Sequence, residues 1–351
     1  MAGTAYLILE NGTIFEGEFF GAQGEITGEV VFTTGMTGYL ETLTDPSNYG
    51  KIVLQTFPLI GDCGVIPEDF ESDKIALRAY IAKHPCEDPS NFRSEGDIWS
   101  FMKERGVIGL CSIDTRALTK IIRDNGTMNG KITSKPPTEA DLAEAKAYFV
   151  SDAIAAVSPK EIAKTGSGSR RVALLDFGAK QSITKTLVAK GCEVWSFPYD
   201  TPAEEILKIK PTGIMLSTGP GNPEAPENKG IIETLRALDK SGVPMFGICL
   251  GHLLLALAKG HSVQKLKFGH RGNQPVKEMS TGRVYMASKN HGYTVIADQS
   301  SFVNVNNGTC EGLDYGNSFS VQFRPGGLGG PLDTAFLFDR FIERMDNYAT
   351  R

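Results

Sequence analysis

The sequence predicts an α/β protein in two domains: a β-rich N-terminal half, then a doubly wound, mostly parallel sheet. Three observations carry this. The chain has 351 residues, which at roughly 150 residues per domain fits two. After Arg171, wholly apolar strand-like runs alternate with helix-like segments, the pattern of a parallel sheet covered on both faces. Before that point, strand-like segments are joined by turns rich in Gly, Thr, Pro, Asp and Asn, the residues that turns require.

The elements follow in order. Tyr6–Glu10 and Thr13–Phe19 flank Asn11-Gly12, predicting a hairpin with a type I′ turn, because Asn-Gly supplies its positive φ. Glu29–Thr33 and Lys51–Phe57 read as further strands. Asp97 opens a helix that Gly106 ends, and Asp114 caps one that stops at Asn125-Gly126. Residues 137–164 are helical in composition, and the small residues of Thr165–Ser169 mark a linker. The predicted domains are 1–150 and 171–351, with 151–170 between them. In the second domain, strands are predicted at 172–176, 192–197, 213–217 and 243–248. Helices are predicted at 181–190, 202–209 and 229–240, with a last one from about Thr334 to Tyr348. In such sheets ligands bind at the carboxyl ends of the strands.

Composition narrows the function. With 41% hydrophobic and 22% charged residues, the chain is expected to be globular. No apolar run reaches the ~18 residues of a membrane helix. The opening MAGTAYLILENGT has no basic n-region or cleavage site, so neither membrane nor secretion is expected. The net charge is −5 without a basic stripe, which disfavours nucleic acid as a partner. The six cysteines (63, 86, 111, 192, 249 and 310) match no zinc or disulfide spacing. The expectation is a reducing cytoplasm, mostly buried thiols and no metal site. No Gly-x-x-x-x-Gly-Lys-Ser/Thr phosphate loop occurs.

The sharpest signal is Gly247-Ile248-Cys249-Leu250-Gly251, between the strand VPMFGI and the helical HLLLALAK. Gly-x-Cys-x-Gly in strand–turn–helix context is the thiol counterpart of a nucleophile elbow. The glycines let the backbone turn sharply, and the helix N-terminus favours a thiolate. The competing reading is a buried core cysteine, which the paired glycines disfavour. GIMLSTGPGNP (213–223) runs a strand into Gly219-Pro220-Gly221. Backbone N–H groups there can form an oxyanion hole, although this segment alone reads as an ordinary turn.

FGICLGH, LSTGPGNP, KNHGY (289–293) and KFGHRGNQP (267–275) resemble the class I, triad-type glutamine amidotransferases. VVFTTGMTGYLETLTDPSNYGKIV (30–53), DTRALTKIIRDNG (114–126) and LLDFGAKQSI (174–183) resemble the carbamoyl-phosphate synthetase small-chain family. The resemblance runs through nearly the whole chain. It implies hydrolysis of glutamine to glutamate and ammonia, which a large subunit uses to make carbamoyl phosphate for arginine and pyrimidine synthesis. It implies Cys249 as nucleophile, and an oxyanion hole from the N–H groups of Leu250 and Gly219. Ser47, Gly219, Gly221, Asn290, Gly292 and Tyr293 are then expected around the glutamine. No cofactor is implied in this chain; ATP and magnesium belong to the large subunit.

The sequence departs from the family at the triad. Where the family has His-Pro-Glu, this chain has Arg324-Pro325-Gly326, and no histidine follows His291. Leu253 stands where the family has a substrate-binding glutamine, and KFGHRGNQP is one residue short. Departures at 253, 270–275 and 324–328 all fall at one pocket. Arginine stays charged and cannot act as general base or acid, so Arg324 and Gly326 are not expected to be functional. Of the remaining imidazoles, His252 is expected beside or below the turn, and His291, in the KNHGY loop, is expected to be structural or substrate-lining. Two readings follow: a glutaminase-impaired small chain, or a non-catalytic partner supporting an ammonia-using large subunit. A third, an unrelated α/β hydrolase, is disfavoured by KNHGY and GPGNP.

Overall fold

The computed structural model describes residues 3–326 and 330–350. It divides into two compact units, Met1–Ser151 and Asp152–Arg351.

The first unit is built on a closed barrel of seven strands. Their order is Thr4–Leu9, Ile14–Gly21, Ile108–Cys111, Ala79–Ile81, Lys51–Gln55, Ile26–Thr33 and Met128–Thr133. Alternation sorts the side chains: Ile52 and Leu54 join the inner cluster with Ala79 and Ile81, while Val53 and Tyr80 face an outer one. Helix Thr115–Asn125 sends Leu118 and Ile122 into the inner cluster. Helices Tyr39–Thr44 and Ile98–Glu104 cover the outer one. Asp97 and Asp114 cap their helices as predicted, accepting from Ser100 N at 2.8 Å and Ala117 N at 2.9 Å.

The first hairpin forms, but not with the predicted turn. Gly12 takes positive φ (86°) and Asn11 does not. Leu9 N donates to Thr13 O at 2.9 Å and Gly12 N to Leu9 O at 2.8 Å. The longer loop needs left-handed backbone only at its glycine, so Asn11 is spared the strain of a type I′ turn.

The second unit carries a ten-stranded sheet. Its centre is parallel, in the order Cys192–Pro198, Arg170–Asp176, Gly213–Leu216, Met245–Ile248 and Phe319–Val321. Helices Gln181–Ala189 and Phe336–Ala349 cover one face. Helices Ala203–Lys208, Lys229–Lys240 and Leu250–Ala258 cover the other. This is the doubly wound architecture that the apolar strands predicted.

Two segments differ from expectation. Residues 151–170 do not form a bare linker: helix Ala153–Val157 and edge strand Ala163–Thr165 lie within it, the strand pairing antiparallel with Cys192–Pro198. The sheet also continues beyond the parallel strands into Cys310–Asp314, Phe302–Asn304, Ser262–Glu278 and Val284–Ile296. KNHGY therefore lies in a strand, not a loop. Its alternating charged and small residues hid it, because its buried face is itself polar.

Candidate active site

The carboxyl ends of the parallel strands converge on Cys249. Strand Met245–Ile248 breaks there into helix Leu250–Ala258, and Cys249 adopts φ 56°, ψ −102°. Positive φ is strained for a non-glycine residue, at a cost of roughly 1–3 kcal/mol, and persists only when neighbours enforce it. Two backbone bonds do so: Cys249 N donates to Val321 O at 2.9 Å, and Gly251 N to Ser217 O at 3.0 Å. The flanking glycines are sterically required, since a Cβ on Gly247 would lie 2.7 Å from Gly251 O. The elbow reading of Gly-x-Cys-x-Gly thus has a geometric basis.

The adjoining loops are tied together. Ser217 Oγ accepts from Phe177 N at 2.9 Å, and Thr218 Oγ1 donates to Gly178 O at 3.1 Å. Gly219 fits between them: a Cβ there would be 2.3 Å from Phe177 O and 2.7 Å from Leu250 Cδ2. Gly221 has φ 94°. The Gly-Pro-Gly turn is therefore packed directly against the first residue of the elbow helix.

The thiol is buried, and Sγ–H donates to the carbonyl of Asn290 at 3.7 Å. Asn290, Gly292 and Tyr293 all lie on strand Val284–Ile296. Ser47 is in the first unit, buried on the turn Pro46–Asn48, where Asp45 Oδ1 accepts from its N–H at 2.9 Å. Leu253 is buried in an apolar cluster with Val263, Val295 and Leu313, with Tyr293 packed alongside.

Arg324 is buried, and its backbone N–H donates to Ser288 O at 2.9 Å, on the strand that carries Asn290. Gly326 has φ 64°, and a Cβ there would meet Ala335 Cβ at 3.2 Å. Residues 327–328 of the divergent segment lie outside the described residues.

His252 and His291 are both buried, each with a partner at its Nδ1. His252 is fully buried with Nδ1 2.8 Å from Ser320 Oγ, and burial pushes its pKa down to about 3. His291 places Nδ1 2.8 Å from Tyr293 O and is likewise lowered by burial to about 3.

One buried cluster escaped sequence reasoning. Lys289 Nζ lies 2.6 Å from Glu311 Oε1, both side chains wholly inaccessible. His270 Nδ1 and His291 Nε2 stand 3.6 and 3.9 Å from the same oxygen. His270, His291 and Glu311 offer ligand atoms close enough together to hold a metal ion. Lys289 Nζ pairs with the Glu311 oxygen in that group, and the amides of Asn304 and Asn307 face His270 Nδ1 and Nε2 at 3.4 and 2.9 Å.

Comparison with known proteins settles the lineage. Residues 7–132 match the carbamoyl-phosphate synthase small chain, CPSase domain, and residues 173–344 match glutamine amidotransferase class-I. The carbamoyl phosphate synthase small chain of Clostridium perfringens is 46% identical over 347 residues, covering 97% of this chain and 99% of that one. The chain belongs to the carbamoyl-phosphate synthase small-chain family.

Other relatives agree. The pyrimidine-specific small chain of Halalkalibacterium halodurans is 45% identical over 358 residues, covering 97% of each chain. The carbamoyl phosphate synthase small chain of Fusobacterium nucleatum is 44% identical over 353 residues, covering 97% of this chain and 98% of that one. This small chain therefore comes from a glutamine-hydrolysing family, with glutamine as family substrate and a large subunit as family partner. Among the described residues no helix is long and apolar enough to cross a membrane.

Proposed function

We propose that this chain is the small subunit of a carbamoyl phosphate synthase whose glutamine hydrolysis is impaired. The observation that supports the reading is Cys249 at a strained strand-to-helix turn, together with a buried Arg324 and a left-handed Gly326 where the family is expected to have histidine and glutamate.

In the reaction, Cys249 Sγ attacks the side-chain amide carbon of glutamine, the C–N bond breaks, and nitrogen leaves as ammonia after gaining a proton. Water then hydrolyses the thioester to glutamate. The N–H groups of Leu250 and Gly219 would hold the oxyanion. Gly219, Gly221, Asn290, Gly292 and Tyr293 would surround the substrate; Leu253 offers it no hydrogen bond. An always-charged guanidinium neither takes the thiol proton nor delivers one to ammonia. Loss of positioned acid–base catalysis costs roughly 10²–10⁴-fold. Ammonia would pass to the large subunit, which carries ATP and magnesium, in the cytoplasm. The carbamoyl phosphate would serve pyrimidine synthesis, the role in the name of the H. halodurans relative, and arginine synthesis.

The apolar surroundings of Leu253 and the left-handed backbone at Gly326, which disfavours a side chain there, favour a second reading, a non-catalytic partner for an ammonia-using large subunit. The test is to assemble the chain with its large subunit and compare glutamine with ammonium as nitrogen source. Ammonium should support synthesis while glutamate release runs roughly 10²-fold or more below it. Glutamate release keeping pace with synthesis at neutral pH overturns the impairment; none at all selects the second reading.

A further inference from the structure

We propose that the buried Lys289–Glu311 ion pair is a positioning device for the nucleophile: it holds the Asn290 carbonyl against the Cys249 thiol, and thereby holds that thiol protonated.

Cys249 Sγ–H donates to Asn290 O at 3.7 Å. A hydrogen bond from a thiol to a carbonyl stabilises the neutral form and opposes the thiolate that a helix N-terminus otherwise favours. The placement of that carbonyl decides which influence wins. Asn290 is flanked on its own strand by two buried anchors. On one side Lys289 Nζ reaches Glu311 Oε1 at 2.6 Å, with no solvent access to either side chain. On the other, His291 Nδ1 lies 2.8 Å from Tyr293 O. Glu311 is tied to the elbow in turn: Gln322 N donates to Glu311 O at 2.9 Å, and the preceding Val321 O accepts from Cys249 N at 2.9 Å. The pair therefore ties strand Val284–Ile296, which carries the thiol's acceptor, to strand Cys310–Asp314, whose neighbour Phe319–Val321 carries the backbone partner of Cys249. Breaking one member leaves a buried unpaired charge, which strand Val284–Ile296 relieves only by moving.

The inference rests on Cys249 being the site's nucleophile. Alkylation reads that thiol whether or not glutamine is turned over, so the two readings fail separately. Each variant is treated with iodoacetamide at one slightly alkaline pH, and modification is followed peptide by peptide. Buried Cys192, in a strand at the far side of the sheet, reports general loosening. Lys289→Met and Glu311→Leu should each speed Cys249 modification about tenfold, the change expected for a one-unit fall in thiol pKa. Cys192 should stay unchanged. The double variant removes both charges and should return to within about twofold of the parent chain. If the single variants do not fold, Glu311→Asp keeps the charge on a shorter stem and should still accelerate modification. The proposal is overturned by folded single variants that react at the parental rate, by Cys192 rising in step with Cys249, by a double variant as fast as the singles, or by Glu311→Asp reacting like the parent.

Discussion

Gly251 lies so close to Leu216 that a Cβ on it would sit 2.3 Å from the Leu216 carbonyl oxygen. The neighbour is backbone in the central sheet and cannot give way. This contact holds the elbow helix tight against strand Gly213–Leu216, and it brings the Gly219 turn beside Leu250.

Gly251→Ala should therefore destabilise the protein by about 3 kcal/mol, the upper end of overpacking costs. Gly230 is the control. It lies in helix Lys229–Lys240 with nothing within 4 Å of a built Cβ, so Gly230→Ala should stabilise by roughly 0.5–1 kcal/mol. Urea midpoints of the two variants should move in opposite directions. Equal shifts would count against the steric account of the elbow.

Arg324→His should raise glutaminase activity in the complex with the large subunit, with roughly 10²–10⁴-fold as the ceiling set by acid–base catalysis. Gly326→Glu should add less than a carboxylate normally brings. The backbone at 326 is left-handed (φ 64°), and the new Cβ would press on Ala335 at 3.2 Å. Leu253→Gln should act on KM, since it supplies a hydrogen bond to substrate. Glutamate release measured for single, double and triple variants checks the order. No gain in any of them sinks the explanation of the defect.

Acid should destabilise the fold through its buried histidines. His252 and His291 are lowered from 6.5 to about 3, in both cases chiefly by burial. Between those values the unfolded chain binds a proton that the folded chain refuses. Stability is thus intact above about pH 6.5 and falls as pH drops toward 3, by about 1.4 kcal/mol per pH unit for each histidine. Unfolding free energies from pH 7.5 down to 5 should show this slope. His252→Gln should make it shallower by one proton; an unchanged slope would place the titration elsewhere.

Phe246 supports the elbow from below. Its ring stacks on Phe319 at 4.3 Å and meets Phe338 and Phe341 at 5.8 Å each. Phe246→Ala should cost about 3–5 kcal/mol in denaturant unfolding. A loss below about 1 kcal/mol, the scale of a volume-conserving swap, would mean that the site collapses around the deletion.

Much of this was legible in the chain. Apolar runs with helical segments between them announced the parallel sheet, because a strand buried on both faces has no polar alternation. Asp97 and Asp114 announced helix starts, and glycines at 247 and 251 announced the elbow, because each of these positions answers to local geometry. The barrel closure in the first unit was not legible, since no single strand encodes which neighbours it meets. Nor was strand Val284–Ile296, where KNHGY reads as a loop because Lys289 and His291 occupy its buried face.

What the amino-acid order determined alone was local: the strand–turn–helix at Cys249, its lineage, and the absence of a histidine after His291. Only the fold decided that Lys289 and Glu311 neutralise each other out of water, that the Asn290 carbonyl meets the thiol, and that Gly326 stands in a backbone conformation hostile to a carboxylate side chain. Those are pairings between distant segments, and their energies exist only once packing has removed the water between them.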